Sequence, residues 1–240
     1  MEKLKVVVIG AGHLGKAHAR IYSEIPEVTL VGVVDTNKDV GEAVAQRCNT
    51  RYYSSFEEIL DKVDAASIVV PTKSHYKITK ELLDSGIHVL VEKPMTGTVS
   101  EAEDLIKLSK KNSTILQPGY IERFNPALEA IKKLDVSLKF IECHRLSPFT
   151  FRSADIGVVL DLMIHDIDII LYLSKSKVKK IDAVGVNVIA DKEDIANTRI
   201  QFENGCVANI TASRVSFEPM RRIRLFSENS YISLDYQKQE

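Results

Sequence analysis

The six residues Gly10-Ala11-Gly12-His13-Leu14-Gly15 stand between the β-branched run Leu4–Ile9 and the helical pattern Lys16–Tyr22. Strand, glycine turn and helix in that order leave few folds open. The first glycine permits a tight turn, the second lets backbone N–H groups approach a pyrophosphate, and the third lets the helix pack close to the strand. A glycine pattern alone is weak evidence, and its context strengthens it. A second buried run, Val28–Val34, ends in Asp35, about 20 residues after the last glycine, as a dinucleotide-binding βαβ unit requires. Gly10, Gly12, His13, Leu14, Gly15 and Asp35 are therefore the expected cofactor-binding residues. Asp35 would accept hydrogen bonds from the adenosine ribose hydroxyls and repel a 2′-phosphate, which favours NAD over NADP, although Lys38 nearby keeps NADP in play.

From there the chain alternates with the period of a doubly wound parallel sheet. Helix 38–48 precedes a short strand at 51–53. Ser55 with Glu58 forms a capping box for the next helix. A strand at 65–70 ends in Pro71-Thr72, and helix 74–85 leads through Gly86 into Val89-Leu90-Val91-Glu92-Lys93-Pro94. That last run is apolar until it ends in a carboxylate, an amine and a proline, the pattern of a buried strand opening into a ligand crevice. A helix at 100–111 and a strand at 114–116 with Gln117 at its end close a first domain of residues 1–121. Ligands bind at strand ends in such sheets, so Pro71, Thr72, His75, Glu92, Lys93 and Gln117 should share one crevice with the glycine turn. For His75 a packing role at the helix start is an equal alternative. The side chains of His13 and His18 read as structural or solvent-facing, and no histidine spacing suggests a metal.

With 45% apolar and 27% charged residues, the 240-residue chain can bury one large core or two modest ones, which argues against a disordered protein. A net charge of -1 gives nucleic acid no electrostatic foothold. The densest basic stretch, Arg221-Arg222-Ile223-Arg224, reads as an edge strand or a phosphate contact. Cys48, Cys143 and Cys206 are odd in number and scattered, which fits neither a disulfide framework nor a zinc site and points to a reducing compartment. No signal-peptide block and no bilayer-length apolar run occurs, so the cytoplasm is the expected location, with no membrane partner.

The second half, 122–240, changes character. After a helix at 127–134, strands are expected at 136–145, 181–190, 196–202, 207–213, 222–226 and 231–235, with Glu203-Asn204-Gly205 as a hairpin turn. The expected fold is an α+β domain with a mainly antiparallel, open-faced sheet, whose exposed face is a candidate surface for homo-oligomerisation. One helix, 157–173, is apolar on nearly every side. At about 100° per residue, Asp161, His165, Asp168 and Tyr172 fall within roughly 60° of arc, with Asp166 apart. A polar stripe on a buried helix is costly unless it lines a wet cavity or a satisfied polar seam.

Taken together, the glycine turn, the Glu92-Lys93-Pro94 triplet and the Asp161–His165 helix resemble, in order and approximate spacing along the whole chain, the Gfo/Idh/MocA oxidoreductase family. The resemblance implies a catalytic group of Lys93, Asp161 and His165. His165 would be the general base, Lys93 would stabilise the developing oxyanion, and Asp161 would orient the imidazole or grip a neighbouring hydroxyl. Residues 119–126 and 161–168 are most similar to the branch acting on nucleotide sugars, which implies NAD-dependent oxidation of a UDP-N-acetylglucosamine-like sugar at its 3-position. Arg123, Asn125 and Arg152 are candidate substrate contacts, with surface salt bridging as the equal alternative. Family members usually continue past the position of Glu240, so the second domain is expected to be incomplete at its C-terminus. The rival readings are a dehydrogenase of inositol or a free sugar, and an NAD-sensing regulator without catalysis.

Overall fold

The computed structural model describes residues 2–132, 136–150 and 156–240, without the side chain of residue 132. The chain divides into two compact units, Met1–Gly119 and Tyr120–Glu240, against an expected break after 121.

The first unit is a six-stranded sheet in the order β3-β2-β1-β4-β5-β6, formed by β1 (Leu4–Ile9), β2 (Val28–Val34), β3 (Arg51–Tyr53), β4 (Ala65–Ile68), β5 (His88–Val91) and β6 (Leu116–Pro118). Every pairing in it is parallel. The connections run through α1 (His13–Glu24), α2 (Lys38–Arg47), α3 (His75–Asp84) and α4 (Val99–Asn112). The β-branched runs seen in the sequence form its core, with Val7, Val8, Val33, Ile68 and Val91 excluded from solvent. The order reverses beside β1, where the chain runs outward first through β2 and then through β4, and that switch point opens the crevice.

Local chemistry accounts for most element ends. Asn37 caps α2 through Val40 N. Thr98 and Glu101 form a capping box on α4, a device worth about 1 kcal/mol. The Ser55–Glu58 box is present too, but it starts only a four-residue 3-10 turn, Phe56–Ile59, rather than a full helix. The last strand lies two residues later than expected and includes Pro118, which a sheet edge tolerates because one side of the strand needs no donor.

The second unit is a six-stranded sheet in the order β12-β11-β7-β10-β9-β8. Its strands are β7 (Leu138–Leu146), β8 (Val178–Val186), β9 (Ile195–Phe202), β10 (Val207–Ser213), β11 (Met220–Ser227) and β12 (Tyr231–Asp235). Among the described residues the β7–β10 pairing is parallel and the others are antiparallel. Among the described residues two α-helices accompany it, α5 (Pro126–Lys132) and α6 (Ile164–Ser174). One face of the sheet packs on α6 through Ile141, Cys143, Ile200, Ile210, Ile169 and Ile170, while β8 is exposed along its whole length.

Three expectations change here. First, β8 stops at Val186 instead of 190. The Asp194 carboxylate accepts hydrogen bonds from the backbone N–H of Val188, Ile189 and Ala190, at 2.7, 2.6 and 3.0 Å, so those donors are lost to any ladder. Second, β11 lies between β12 and β7, so the Arg221–Arg224 stretch is not an edge. Arg222 meets Asp235 at 3.6 Å, and Arg224 meets Glu142 at 3.0 Å. Third, the long apolar helix is not uniform. Residues Val159–Met163 make a π-turn before α6 begins, and π-turns recur at functional sites. Asp161 lies inside that wider turn, so a uniform 100° step does not describe its position relative to His165.

Candidate active site

The glycine turn follows β1 directly. Gly10 has φ +101°, and a Cβ there would lie 2.4 Å from Val69 O; one on Gly15 would lie 1.9 Å from Gly10 O. Both positions exclude side chains through the protein's own packing. Gly12 differs, because a Cβ there would meet nothing within 4 Å. Its surroundings are open space at the N-terminus of α1, the room a pyrophosphate needs against backbone N–H groups. His13 and Leu14 are exposed at this helix start.

Asp35 closes the other side. Its carboxylate accepts hydrogen bonds from Ala11 N at 2.7 Å and Asn37 N at 2.8 Å, which fixes its orientation at the end of β2. Lys38 is turned along its own helix toward Glu42, at 3.8 Å. A 380 Å³ cavity is lined by Gly10, Gly12, Asp35, Ser54, Phe56 and Pro71, among others. The residues present therefore fit a dinucleotide: glycine backbone for the pyrophosphate, a carboxylate for the ribose, and an apolar and hydroxyl wall. Ser54 and Phe56 were missed in the sequence. The capping box at the end of β3 could have pointed to them, since strand ends line the crevice.

The other expected crevice residues separate. Thr72 begins the turn Thr72–Ser74 leading to α3. His75 is 1% exposed, with Nδ1 2.8 Å from Pro94 O and Nε2 2.8 Å from Val70 O, so it ties the loop after β4 to the loop after β5 from beneath. Gln117 lines a different 220 Å³ groove with Val6, Tyr22 and Leu90. Glu92 points back to α1, where its Oε1 lies 3.3 Å from His18 Nε2. Lys93, half-buried, follows at the strand end, and the Lys93–Pro94 peptide is cis.

In the second unit, Asp161 and His165 are both half-buried, on the π-turn and the first turn of α6. Asp161 N donates to Gly157 O at 3.0 Å, and Val158 N donates to Glu193 O at 2.9 Å, anchoring the start of the turn. Asp168 is bound by Arg123, whose Nε and Nη2 donate to its two oxygens at 2.6 and 2.5 Å. Asp166 is fully buried and bound by Arg145, whose Nε and Nη2 each reach it at 2.9 Å, while Nη1 donates to Glu122 at 3.1 Å. Burial opposes the Arg145 charge, but Asp166 and Glu122 outweigh it and hold the guanidinium above its ordinary value. Arg145 was not singled out in the sequence. It shares a strand face with Ile141 and Cys143, so period-two alternation marks it as a core-facing charge. Asn125 caps α5 through Ala127 N at 3.1 Å. Arg152 lies outside the described residues.

Among the described residues, no group of three or more His, Cys, Asp or Glu is arranged to hold a metal, and no helix is long and apolar enough to cross a membrane.

A dinucleotide cradle on a doubly wound sheet, followed by an open-faced sheet domain carrying an acid and an imidazole, defines a two-domain NAD-binding oxidoreductase. The comparisons agree with that class. Residues 4–120 match the oxidoreductase family with NAD-binding Rossmann fold, and residues 140–233 match the GFO/IDH/MocA C-terminal domain. The chain is 39% identical over 237 residues to UDP-N-acetylglucosamine 3-dehydrogenase of Acidithiobacillus ferrooxidans, covering 98% of this chain and 75% of that protein. A solved structure of that enzyme superposes with a TM-score of 0.93, over 100% of this chain and 79% of the other. It is also 29% identical to scyllo-inositol 2-dehydrogenase (NAD(+)) of Bacillus subtilis, over 89% of this chain and 68% of that protein. The chain belongs to the Gfo/Idh/MocA oxidoreductase family, as an NAD-dependent dehydrogenase acting on CH–OH groups.

Proposed function

We propose that the substrate is a nucleotide sugar of the UDP-N-acetylglucosamine type, oxidised at its 3-hydroxyl to the keto sugar. The observation that carries this reading is the 39% identity along 98% of the chain to an enzyme named for that reaction. NAD, when bound, supplies the hydride acceptor at C4 of its nicotinamide. His165 takes the hydroxyl proton as general base, since imidazole exchanges protons near neutrality. Lys93 donates to the same oxygen and stabilises its developing negative charge. Asp161 orients the imidazole or holds a neighbouring sugar hydroxyl. With NAD held by the glycine turn and Asp35, the reaction would balance as loss of the C–H hydride to the cofactor and of the O–H proton to His165, leaving the carbonyl.

The test is to mix protein, NAD and UDP-N-acetylglucosamine and follow nicotinamide absorbance. Reduction is expected. Absence of reduction with any nucleotide sugar or polyol, in protein shown to bind NAD, refutes the reading. The inositol-dehydrogenase match supports a second reading, oxidation of a polyol or free sugar. A higher kcat/KM for inositol than for the UDP-sugar would establish that one instead.

The open sheet face, with Ile181 and Val184 exposed beside a 540 Å³ polar groove containing Glu142, His144 and Arg199, is our candidate surface for self-association. Cytoplasmic location is the setting we assign, in keeping with three free cysteines.

A further inference from the structure

Glu122 and Arg123 are consecutive residues on one short 3-10 turn, Ile121–Phe124, and they connect to two different carboxylates of α6, Arg123 directly and Glu122 through Arg145. Arg123 grips Asp168 with both arms of its guanidinium. Glu122 accepts from Arg145, which in turn grips Asp166 with two parallel bonds. The Arg123 side chain is 44% exposed, but the carboxylate it holds and the rest of the network are poorly hydrated: Arg145 and Asp166 are each 2% exposed, and the Glu122 and Asp168 side chains 13% and 10%. Paired charges at that burial are costly to separate and tolerate little displacement.

The positions of these carboxylates on the helix matter. His165 precedes Asp166 by one residue and Asp168 by three. At about 100° per residue, Asp166 lies about 100° to one side of His165 around the helix axis and Asp168 about 60° to the other. A helix held at one azimuth can still roll about that contact. Held on both flanks of His165, it cannot. Ile169 and Ile170 also pack in the apolar core, and such contacts are non-directional and resist rolling only weakly. The π-turn that precedes α6 breaks the regular hydrogen-bond ladder on its N-terminal side, so the azimuth of His165 is not inherited from a straight helix upstream.

We infer that Glu122 and Arg123 are positioning residues, a two-point clamp that sets the rotation of α6 and thereby the direction of the His165 imidazole. This rests on the reading of His165 as the base. Arg123 so engaged is a part of the scaffold rather than a substrate contact, and the bidentate fork is the feature that matters. A lysine at 123 keeps the charge and loses the fork.

Two measurements on the full chain test this. In the first, the side chains of all histidines are isotope-labelled and the His165 signal is assigned by its loss in His165→Gln. In Arg123→Lys the His165 signal should shift or broaden while those of His13, His18, His75 and His88 stay in place. An unmoved His165 signal overturns the clamp, and this result needs no turnover. The second is kinetic, with substrate deuterated at the oxidised carbon. Arg123→Lys should lower kcat about 10- to 100-fold with KM changed less than about 3-fold. The isotope effect on kcat should rise, because a misaimed base slows the chemical step itself. A merely destabilised enzyme loses active molecules and leaves the isotope effect unmoved, which overturns the proposal. A raised KM at constant kcat also overturns it, by making Arg123 a substrate ligand. Glu122→Gln, which keeps an acceptor for Arg145, should retain at least a third of kcat, whereas Glu122→Ala should behave like Arg123→Lys. If the wild-type protein oxidises no sugar, the proposed function fails while the spectroscopic result still decides the clamp.

Discussion

The His18 imidazole joins two strand ends: its Nε2 lies 3.3 Å from Glu92 Oε1 and its Nδ1 lies 2.7 Å from Ser67 Oγ. The ring thus stands between α1, which follows the glycine turn, and the strand end that presents Lys93. Replacing it with leucine removes a partner from a fully buried hydroxyl and a mostly buried carboxylate. His18→Leu should lower stability by about 1–3 kcal/mol, read as a shift in the urea midpoint. An unchanged midpoint would show that the bridge contributes nothing net.

Gly10 and Gly12 make separable predictions. Gly12→Val adds a side chain where the protein has open space, so thermal stability should hold while NAD affinity, measured calorimetrically, falls at least about 10-fold. Gly10→Ala adds a Cβ against Val69 O and strains a positive φ, so it should lower the melting temperature as well. Equal effects on both quantities in both variants would remove the distinction.

Asp35 governs the choice between the two dinucleotides. Asp35→Ser removes a carboxylate that would grip two ribose hydroxyls, a loss on the order of 10-fold in NAD affinity. The same change removes the charge that repels a 2′-phosphate, so NADP affinity should rise. The check is the ratio of the two dissociation constants, and an unmoved ratio would take Asp35 out of the discrimination.

The loop held by Asp194 depends on a charged carboxylate. Desolvation alone would raise this carboxyl, but three backbone donors and Arg214 outweigh it and hold it well below the usual carboxylate range. A depressed folded value means stabilisation that is complete above the unfolded value, about 4, and is lost as pH falls toward the folded one. Asp194→Asn should therefore be less stable than wild type at pH ~7, with the gap in urea midpoints narrowing below pH ~4. A gap independent of pH would mean that shape, not charge, holds the loop.

Lys93→Met and His165→Gln should each reduce turnover at least about 100-fold while NAD binding persists. Loss of NAD binding in either variant would reassign that residue to the cofactor site.

How much of this was legible in the sequence follows from the range of each interaction. The glycine turn, the Ser55–Glu58 capping box and the Glu203-Asn204-Gly205 hairpin could be read because their chemistry is complete within a few residues: a positive φ, a side-chain oxygen meeting a nearby N–H. The strand overshoot to 190 has the opposite cause. Val188, Ile189 and Ala190 look like strand, and what prevents it is the Asp194 carboxylate capturing their donors. The two roles left open for His75 could not be separated by spacing, because its two carbonyl contacts come from separate loops.

By itself, the sequence determined the alternation of strand and helix, the dinucleotide motif and the mainly antiparallel second domain, since hydrophobic period and turn chemistry are local properties of the chain. Only the tertiary structure decided which charges meet. Arg123 with Asp168, Arg145 with Asp166 and Glu122, and His18 with Glu92 are pairs that any carboxylate of suitable reach could have replaced in a reading by composition alone. Burial selects among them. In a dry interior every charge must find a partner, and which partner lies within reach is set by how the sheet and helices pack.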